Sequence, residues 1–579
     1  MGAMPESLSE SLAVLAAGKE RLAKTGLRGR TDLLEACLDG IVGAASDWVD
    51  CACEIKGIPP NSTSRAEEVT TGPVAAARLL RLLLNTFDQI QKAGKPRLPG
   101  PIEVEPDGTL RVPVLPEKAL FDPILFAGFK AYVRMNSEVN RENFDLHLAP
   151  QYRGIIDQPP RVSLVLGAGN VSSIPVTDTL SKIFLDNSVV LLKMNPVNEG
   201  LGPVFERAFK PLVDAGLLRV IYGGREVGEA AVNAQEVEDI HITGAIETHD
   251  SIVWGPAGSE RTRRKAENDP LHTKPITSEL GNVTPWIMVP GPYSEKELAA
   301  QVETIAGSIC SNASFNCIAT KVIVTWNKWP QRQKFIDSLQ TLLGKIPMRK
   351  AYYPGAIERF TQFTGMCPSS VKEGKLPWTL IPNLNRHSAE DFLKEEWFVC
   401  LTAEICLDAE SESDFLRKAV DFVNEELWGT LAAQVTVHPS FHRDPSRKAI
   451  FWDCISHLRY GVVAINQWSG LAYALMSLPW GGYPGQPLSN VQSGTGWVHN
   501  SLMLDSIEKG ILMGPLRIIP RPIWLPTHPN PEPIAWRLYD LFDRPGYGAL
   551  LKILLASLSQ GRLANSNRAG RSVPPSGTS

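Results

Sequence analysis

No run of 18 apolar residues occurs in this sequence, so no membrane span is expected. The opening Met1-Gly2-Ala3-Met4-Pro5-Glu6 has no basic stretch ahead of an apolar core, so no signal peptide is expected. Neither sign of charge is in excess. Lys and Arg number 58 against 62 Asp and Glu, the net charge is −4, and the pI is about 6.3. A nucleic-acid partner is therefore not expected. The one dense basic run, Arg261-Thr262-Arg263-Arg264-Lys265, reads as a solvated loop. The nine cysteines show no CxxC pairing, which argues against a zinc site or a disulfide framework. They fit a reducing compartment, and the expected location is cytoplasmic. The sequence carries no internal repeat and no GxGxxG fingerprint.

What is present is an ordinary globular composition, 43% hydrophobic and 21% charged, in a chain long enough for two or three domains. Apolar residues at three- and four-residue spacing predict helices over Ser7–Leu22, Thr31–Lys56 and Pro73–Lys92. Asp107-Gly108 predicts a hairpin turn within a Pro- and Gly-rich stretch, 94–118. From residue 161 short apolar strands alternate with helices: Val162–Leu166, Val189–Leu192, Leu218–Ile221 and Asp239–Ile242. Such alternation predicts a doubly wound, mostly parallel sheet with its ligand at the carboxyl ends of the strands. A second α/β region carries strands at Trp286–Val289, Lys321–Thr325, Ala403–Leu407 and Ala432–Val437. The expected organisation is an N-terminal helical part with an insertion (1–160), a nucleotide-binding core (161–274) and a catalytic domain (275–466). A C-terminal return with an oligomerisation segment (467–560) and a disordered tail (561–579) follow.

Two side chains, Glu279 and Cys317, carry the most chemistry. They lie in Ser278-Glu279-Leu280-Gly281-Asn282 and Asn312-Ala313-Ser314-Phe315-Asn316-Cys317. A thiolate can add to a carbonyl, and a carboxylate can later activate the water that releases the acyl group. Most cysteines are small buried hydrophobes and most glutamates are solvated, so the pair gains its weight from its surroundings. Asn170 follows Gly167-Ala168-Gly169 at a strand end, where its amide could donate to an oxyanion. Lys193 ends the next strand and could reach a ribose hydroxyl or a 2′-phosphate. Gly244 and Ala245 open a helix, a place where a pyrophosphate can approach backbone N–H groups. Glu396, with Phe398 two residues on, could grip a ribose beside an aromatic wall.

Taken in order, these pieces resemble the aldehyde dehydrogenase superfamily over roughly residues 10–500. The resemblance implies an α/β fold with a doubly wound nucleotide-binding domain, an α/β catalytic domain and an oligomerisation segment. It implies oxidation of a small-molecule aldehyde to a carboxylic acid with NAD or NADP, through a thiohemiacetal and a thioester on Cys317. Asn170 would hold the oxyanion and Glu279 would activate water. Lys193, Gly244, Ala245, Glu396 and Phe398 would contact the cofactor, and no metal is implied. Pro479-Trp480-Gly481-Gly482-Tyr483 matches the family's late aromatic-Gly-Gly-Tyr turn.

The departures are specific. The family's Asn-x-Gly-Gln-x-Cys is here Asn312-Ala313-Ser314-Phe315-Asn316-Cys317, and its Glu-Leu-Gly-Gly-Lys is Glu279-Leu280-Gly281-Asn282-Val283. A helix glycine is replaced by His249. Pro196 stands near where NAD-preferring members place an acid, which leaves NADP open. Two alternatives stay open: a CoA-acylating dehydrogenase or acyl reductase, and a weakly active cofactor-binding scaffold. A homodimer or homotetramer sharing a strand across subunits is expected. The apolar stretch 547–558 could touch a membrane surface, gate a long-chain substrate or dock on protein.

Overall fold

A computed structural model describes residues 6–366 and 369–560, so the expected disordered tail, 561–579, lies outside the described residues. The chain builds two sheets. The first is five-stranded and wholly parallel: β4 (Arg161–Leu166), β5 (Ser188–Lys193), β6 (Leu218–Ile221), β7 (Asp239–Thr243) and β8 (Ile276–Glu279), in the order β6-β5-β4-β7-β8. β4, β5 and β6 are short, mostly apolar runs because helices cover both faces, whereas β7 and β8 carry polar side chains. The helices Glu6–Lys24, Leu27–Ile55 and Ala75–Ala93 pack there, burying Leu34, Trp48, Leu79 and Phe87 in one core with Leu164, Leu191 and Ile240.

The second sheet has ten strands. In chain order the first three are β1 (Glu103–Val104), β2 (Leu110–Leu115) and β3 (Lys130–Met135). The others are β9 (Pro285–Met288), β10 (Val322–Trp326), β11 (Thr379–Ile381), β12 (Leu401–Leu407), β13 (Ala432–Thr436), β14 (Val462–Ile465) and β15 (Ile507–Met513). They lie in the order β1-β2-β3-β15-β14-β13-β9-β10-β12-β11. The seven strands from β15 to β11 run parallel, and β1–β3 add antiparallel at the β15 edge. The predicted turn at Asp107-Gly108 therefore joins two paired strands, and the 96–150 insertion supplies strands to this sheet. β15 pairs with β14 of its own chain, so no strand from a second subunit is needed to build the sheet.

The predicted strand Leu218–Ile221 is reproduced residue for residue, and the helix 295–310 spans Glu295–Cys310. Two expectations are corrected. The basic run 261–265 lies in a helix, Ser259–Glu267, where Arg261 pairs with Glu247 and Arg263 with Glu260. The alternation after residue 161 also predicts a helix over Gly202–Ala215, and it divides at Phe209 into Gly202–Ala208 and Lys210–Asp214. The glycine-rich segment 480–496 wraps over β8, with Ser278 N–H donating to the Thr495 carbonyl and Leu280 N–H to that of Ser493. Only glycine fits at 494, where φ is +105° and a Cβ would sit 2.0 Å from the Ser278 carbonyl oxygen.

Candidate active site

Glu279 is the last residue of β8, in register with Thr243 of β7. Its side chain is 3% exposed, and its backbone carbonyl accepts the Gly244 N–H at 3.0 Å. One backbone hydrogen bond thus joins the predicted carboxylate to the predicted phosphate turn. Cys317 is half-buried, and its Sγ donates to Glu279 Oε1 at 3.4 Å. Burial, then the charge of Asp178, raises the Glu279 carboxyl to about 7. Its Oε2 is buried near the Trp480 indole N–H, which acts against that rise. Burial, then Glu279 and Glu396, pushes the Cys317 thiol well above its ordinary value. The pair therefore rests as a thiol facing a carboxyl group that titrates near neutrality.

The loop before the thiol is wound tightly. The helix Glu295–Cys310 ends, and Asn312, Ala313 and Ser314 follow with φ of 50°, 55° and 68°. Three consecutive left-handed non-glycine residues cost energy and persist only where neighbours enforce them. The neighbours are plain. Asn312 Nδ2 donates to the carbonyls of Asn170 (3.0 Å) and Phe315 (2.8 Å), and the Tyr352 hydroxyl shares its one proton between Asn170 O (3.1 Å) and Asn312 Oδ1 (3.0 Å). Glu67 accepts from the Asn312 N–H and from Ser311 Oγ, and pairs with Arg349. Burial would raise Glu67, but Arg349 and Lys56 outweigh it and hold the carboxyl below its usual range. Asn170 donates one amide hydrogen to the Phe315 carbonyl at 3.2 Å, which leaves the other for a ligand.

Glu396 and Phe398 flank the same loop. A Cβ at Gly281 would lie 1.9 Å from Glu396 Oε2, so this glycine is what admits the carboxylate. Glu396 Oε1 is buried without a partner. Burial, partly offset by Lys321, raises Glu396 to about 7, and burial lowers Lys321 to about 8. Lys321 Nζ donates to the Val399 carbonyl at 2.9 Å and to Ser314 Oγ at 3.3 Å. Phe398 packs against Tyr353 and Phe315, with ring centroids 5.0 and 5.9 Å apart.

The remaining predicted residues line the carboxyl ends of the five-stranded sheet. Lys193 ends β5 and is 8% exposed, and among the described residues its ammonium has no hydrogen-bond or ion-pair partner. Burial lowers its pKa. Ala245 caps the helix Ile246–Trp254, and a Cβ at Gly244 would meet nothing nearer than 3.7 Å. His249 is wholly buried in that helix with Nε2 unpartnered. An unpaired ammonium, an open glycine turn and an orphaned Glu396 oxygen fit a dinucleotide: phosphate and ribose oxygens would answer them. Glu67, Tyr352 and Lys321 had no local signal, because each acts through residues distant in sequence or on the loop's far side.

Comparison with known proteins follows this geometry. Residues 129–365 match the model of the aldehyde dehydrogenase family. Among curated proteins, no sequence matches the chain significantly. Among solved structures, the glyceraldehyde-3-phosphate dehydrogenase GapN of Methanocaldococcus jannaschii, complexed with NADP, is 14% identical. It covers 89% of this chain and 96% of its own, with a TM-score of 0.55. An aldehyde dehydrogenase of Mycobacterium tuberculosis complexed with NAD+ is 16% identical over 89% of this chain and 92% of its own, TM-score 0.56. Betaine aldehyde dehydrogenase of Staphylococcus aureus is 16% identical over 89% and 90%, TM-score 0.56. At these identities the likeness concerns the fold.

Proposed function

The chain belongs to the aldehyde dehydrogenase superfamily, and on that premise we propose that it oxidises an aldehyde to a carboxylic acid with NAD or NADP. The observation that carries the proposal is the 3.4 Å contact between Cys317 Sγ and Glu279 Oε1, with Glu279 raised to about 7. Glu279 takes the thiol proton as the sulfur adds to the aldehyde carbon. The free amide hydrogen of Asn170 donates to the oxygen that becomes negative. Lys193, the Gly244-Ala245 turn and Glu396 would hold the dinucleotide, with Phe398 at its reactive end. When bound, that cofactor supplies the hydride acceptor, and a thioester is left on Cys317. Glu279 then releases the thiol proton to solvent and, ionised again, takes a proton from water. Hydroxide adds to the thioester carbon, the C–S bond breaks, and the acid leaves with the thiolate regenerated.

The test is reduced-nicotinamide formation with NAD and NADP separately, with Cys317→Ala and Glu279→Gln alongside. Cys317→Ala is expected to abolish turnover, and Glu279→Gln to slow both thioester formation and its hydrolysis, because Glu279 takes a proton in each step. Acyl-CoA in place of free acid on adding CoA would replace the hydrolytic reading with acyl transfer. Cofactor binding without turnover would mark a scaffold.

The same reading places the enzyme in the cytoplasm as a homodimer or homotetramer. The eight described cysteines, all free, support a reducing compartment. For assembly, the helix Tyr547–Leu558 buries Leu550, Ile553 and Ala556 and leaves Tyr547, Leu551, Leu555 and Leu558 exposed along one side. Sedimentation measures the subunit number. A monomer that instead pellets with phospholipid vesicles would assign that side to a membrane surface.

A further inference from the structure

A cavity of about 340 Å³ lies beside the helix Glu295–Cys310, walled by residues of three separate regions: the N-terminal helices, the catalytic domain and the segment 523–531. We propose that this cavity holds the non-reacting part of the aldehyde and that it selects a compact, uncharged aromatic group. The inference rests on the oxidation proposed above and names the substrate class of that site.

Two contacts tie the cavity to the thiol loop, and a third ties it to the segment after Asn170. Trp468 lines it, and its indole N–H donates to the carbonyl of Ile318, the residue after Cys317, at 3.0 Å. Glu67 and Ser311 line it, and Glu67 holds the N–H of Asn312. Thr71 lines it, and its carbonyl accepts the N–H of Ser173, three residues after Asn170. Thr70 and Thr71 precede a kink at Gly72, whose φ of −115° and ψ of −109° interrupt the helix. The Cys317 side chain packs against the same apolar cluster as Trp468 and Trp524.

The wall decides the ligand class. Trp378, Trp468 and Trp524 present three indoles, with Trp468 and Trp524 centroids 5.7 Å apart. Trp524 reaches its place because residue 307 is glycine: a Cβ there would stand 2.7 Å from the indole ring. The charges of the inner wall are already matched, Lys56 by Glu68 at 2.7 Å and Arg349 by Glu67. A ligand carrying a charge would find no free counter-charge there and would lose its hydration. Lys350 is exposed, and Lys375 pairs with Glu373. The volume is at the small end for ligand pockets, which suits one or two rings.

The test compares benzaldehyde with acetaldehyde in the wild-type protein, Trp524→Ala and Gly307→Val. Thermal unfolding selects variants that remain folded. The ratio of kcat/KM for benzaldehyde over acetaldehyde is expected to fall about tenfold in both variants, with the change in KM. An unchanged ratio, or an equal loss on both aldehydes, would overturn the assignment. Benzyl alcohol, an uncharged aromatic probe, titrated into Cys317→Ala and followed by tryptophan fluorescence, separates this proposal from the oxidation itself. Quenching that disappears when Trp524→Ala is added keeps the aromatic site even if no aldehyde turns over. Quenching that persists with Trp524→Ala removes the site even if aldehydes are oxidised.

Discussion

Glu279 has a carboxyl group that prefers its proton up to about pH 7, because ionising it would place a charge in an apolar setting beside Asp178 and Glu396. Water activation needs the ionised form, so thioester hydrolysis is expected to fall about tenfold per pH unit below 7. Stopped-flow hydrolysis of a preformed acyl-enzyme measures this. The folded state holds this proton more tightly than the unfolded chain does. Stability from this group is therefore lost as pH rises between about 4.5 and 7, by roughly 3 kcal/mol once the carboxylate is fully ionised. Glu279→Gln should remove that dependence and leave the protein more stable than wild type at pH 8 but not at pH 4, read by denaturant melts. Asp178 is buried, accepts from Thr243 Oγ1 at 2.8 Å and faces His241 Nε2 at 3.5 Å. Tyr473 and His499 also feel its charge, and Lys182 lies within its field. Removing this charge with Asp178→Asn should lower the Glu279 pKa and move the acid limb of hydrolysis to lower pH. An unmoved limb would show that burial alone sets it.

At the scale of elements, the thiol loop is held by parts that lie far away in the chain. Glu67 sits 245 residues before Asn312. Glu67→Ala would leave Arg349 without its partner and the Asn312 N–H without an acceptor, a loss of about 3 kcal/mol expected in urea melts. Ser314, at φ 68°, stands where the family pattern has glycine. Ser314→Gly should stay within about 1 kcal/mol of wild type, whereas Ser314→Val should cost more than about 2 kcal/mol, since β-branched residues tolerate this backbone poorly. Four strands of the five-stranded sheet were legible as short, largely apolar runs, whereas β8, Ile276–Glu279, lies beyond the expected core 161–274 and reads Ile-Thr-Ser-Glu. The kink at Gly72 was not legible, because Pro73 and the helical spacing after it mark a helix start without showing that the helix Arg65–Val69 runs up to it.

Across the whole molecule, the C-terminal extension has two parts. Residues 523–531 close the cavity through Trp524, and the helix Tyr547–Leu558 covers Ile534 and Leu541 of the preceding helix. Ile553→Ala should cost about 2–4 kcal/mol, because its side chain is buried within the chain. Leu555→Ala should change stability by less than about 0.5 kcal/mol if its side faces water, and by clearly more if a second copy covers it. Thermal melts at two protein concentrations distinguish these cases.

The sequence by itself determined the order of elements, the parallel sheet and the identity of the chemically able side chains. Period, turn residues and residue type are local properties, and Cys317, Glu279, Asn170 and Glu396 could be picked out from them. The tertiary structure alone decided that Cys317 and Glu279 touch, that Glu67 and Tyr352 brace the loop, and that Trp524 reaches Gly307. It also decided that β15 completes the large sheet within one chain. These are contacts between segments up to several hundred residues apart. They are fixed by how two sheets and their helices pack, and no short stretch of chain encodes them.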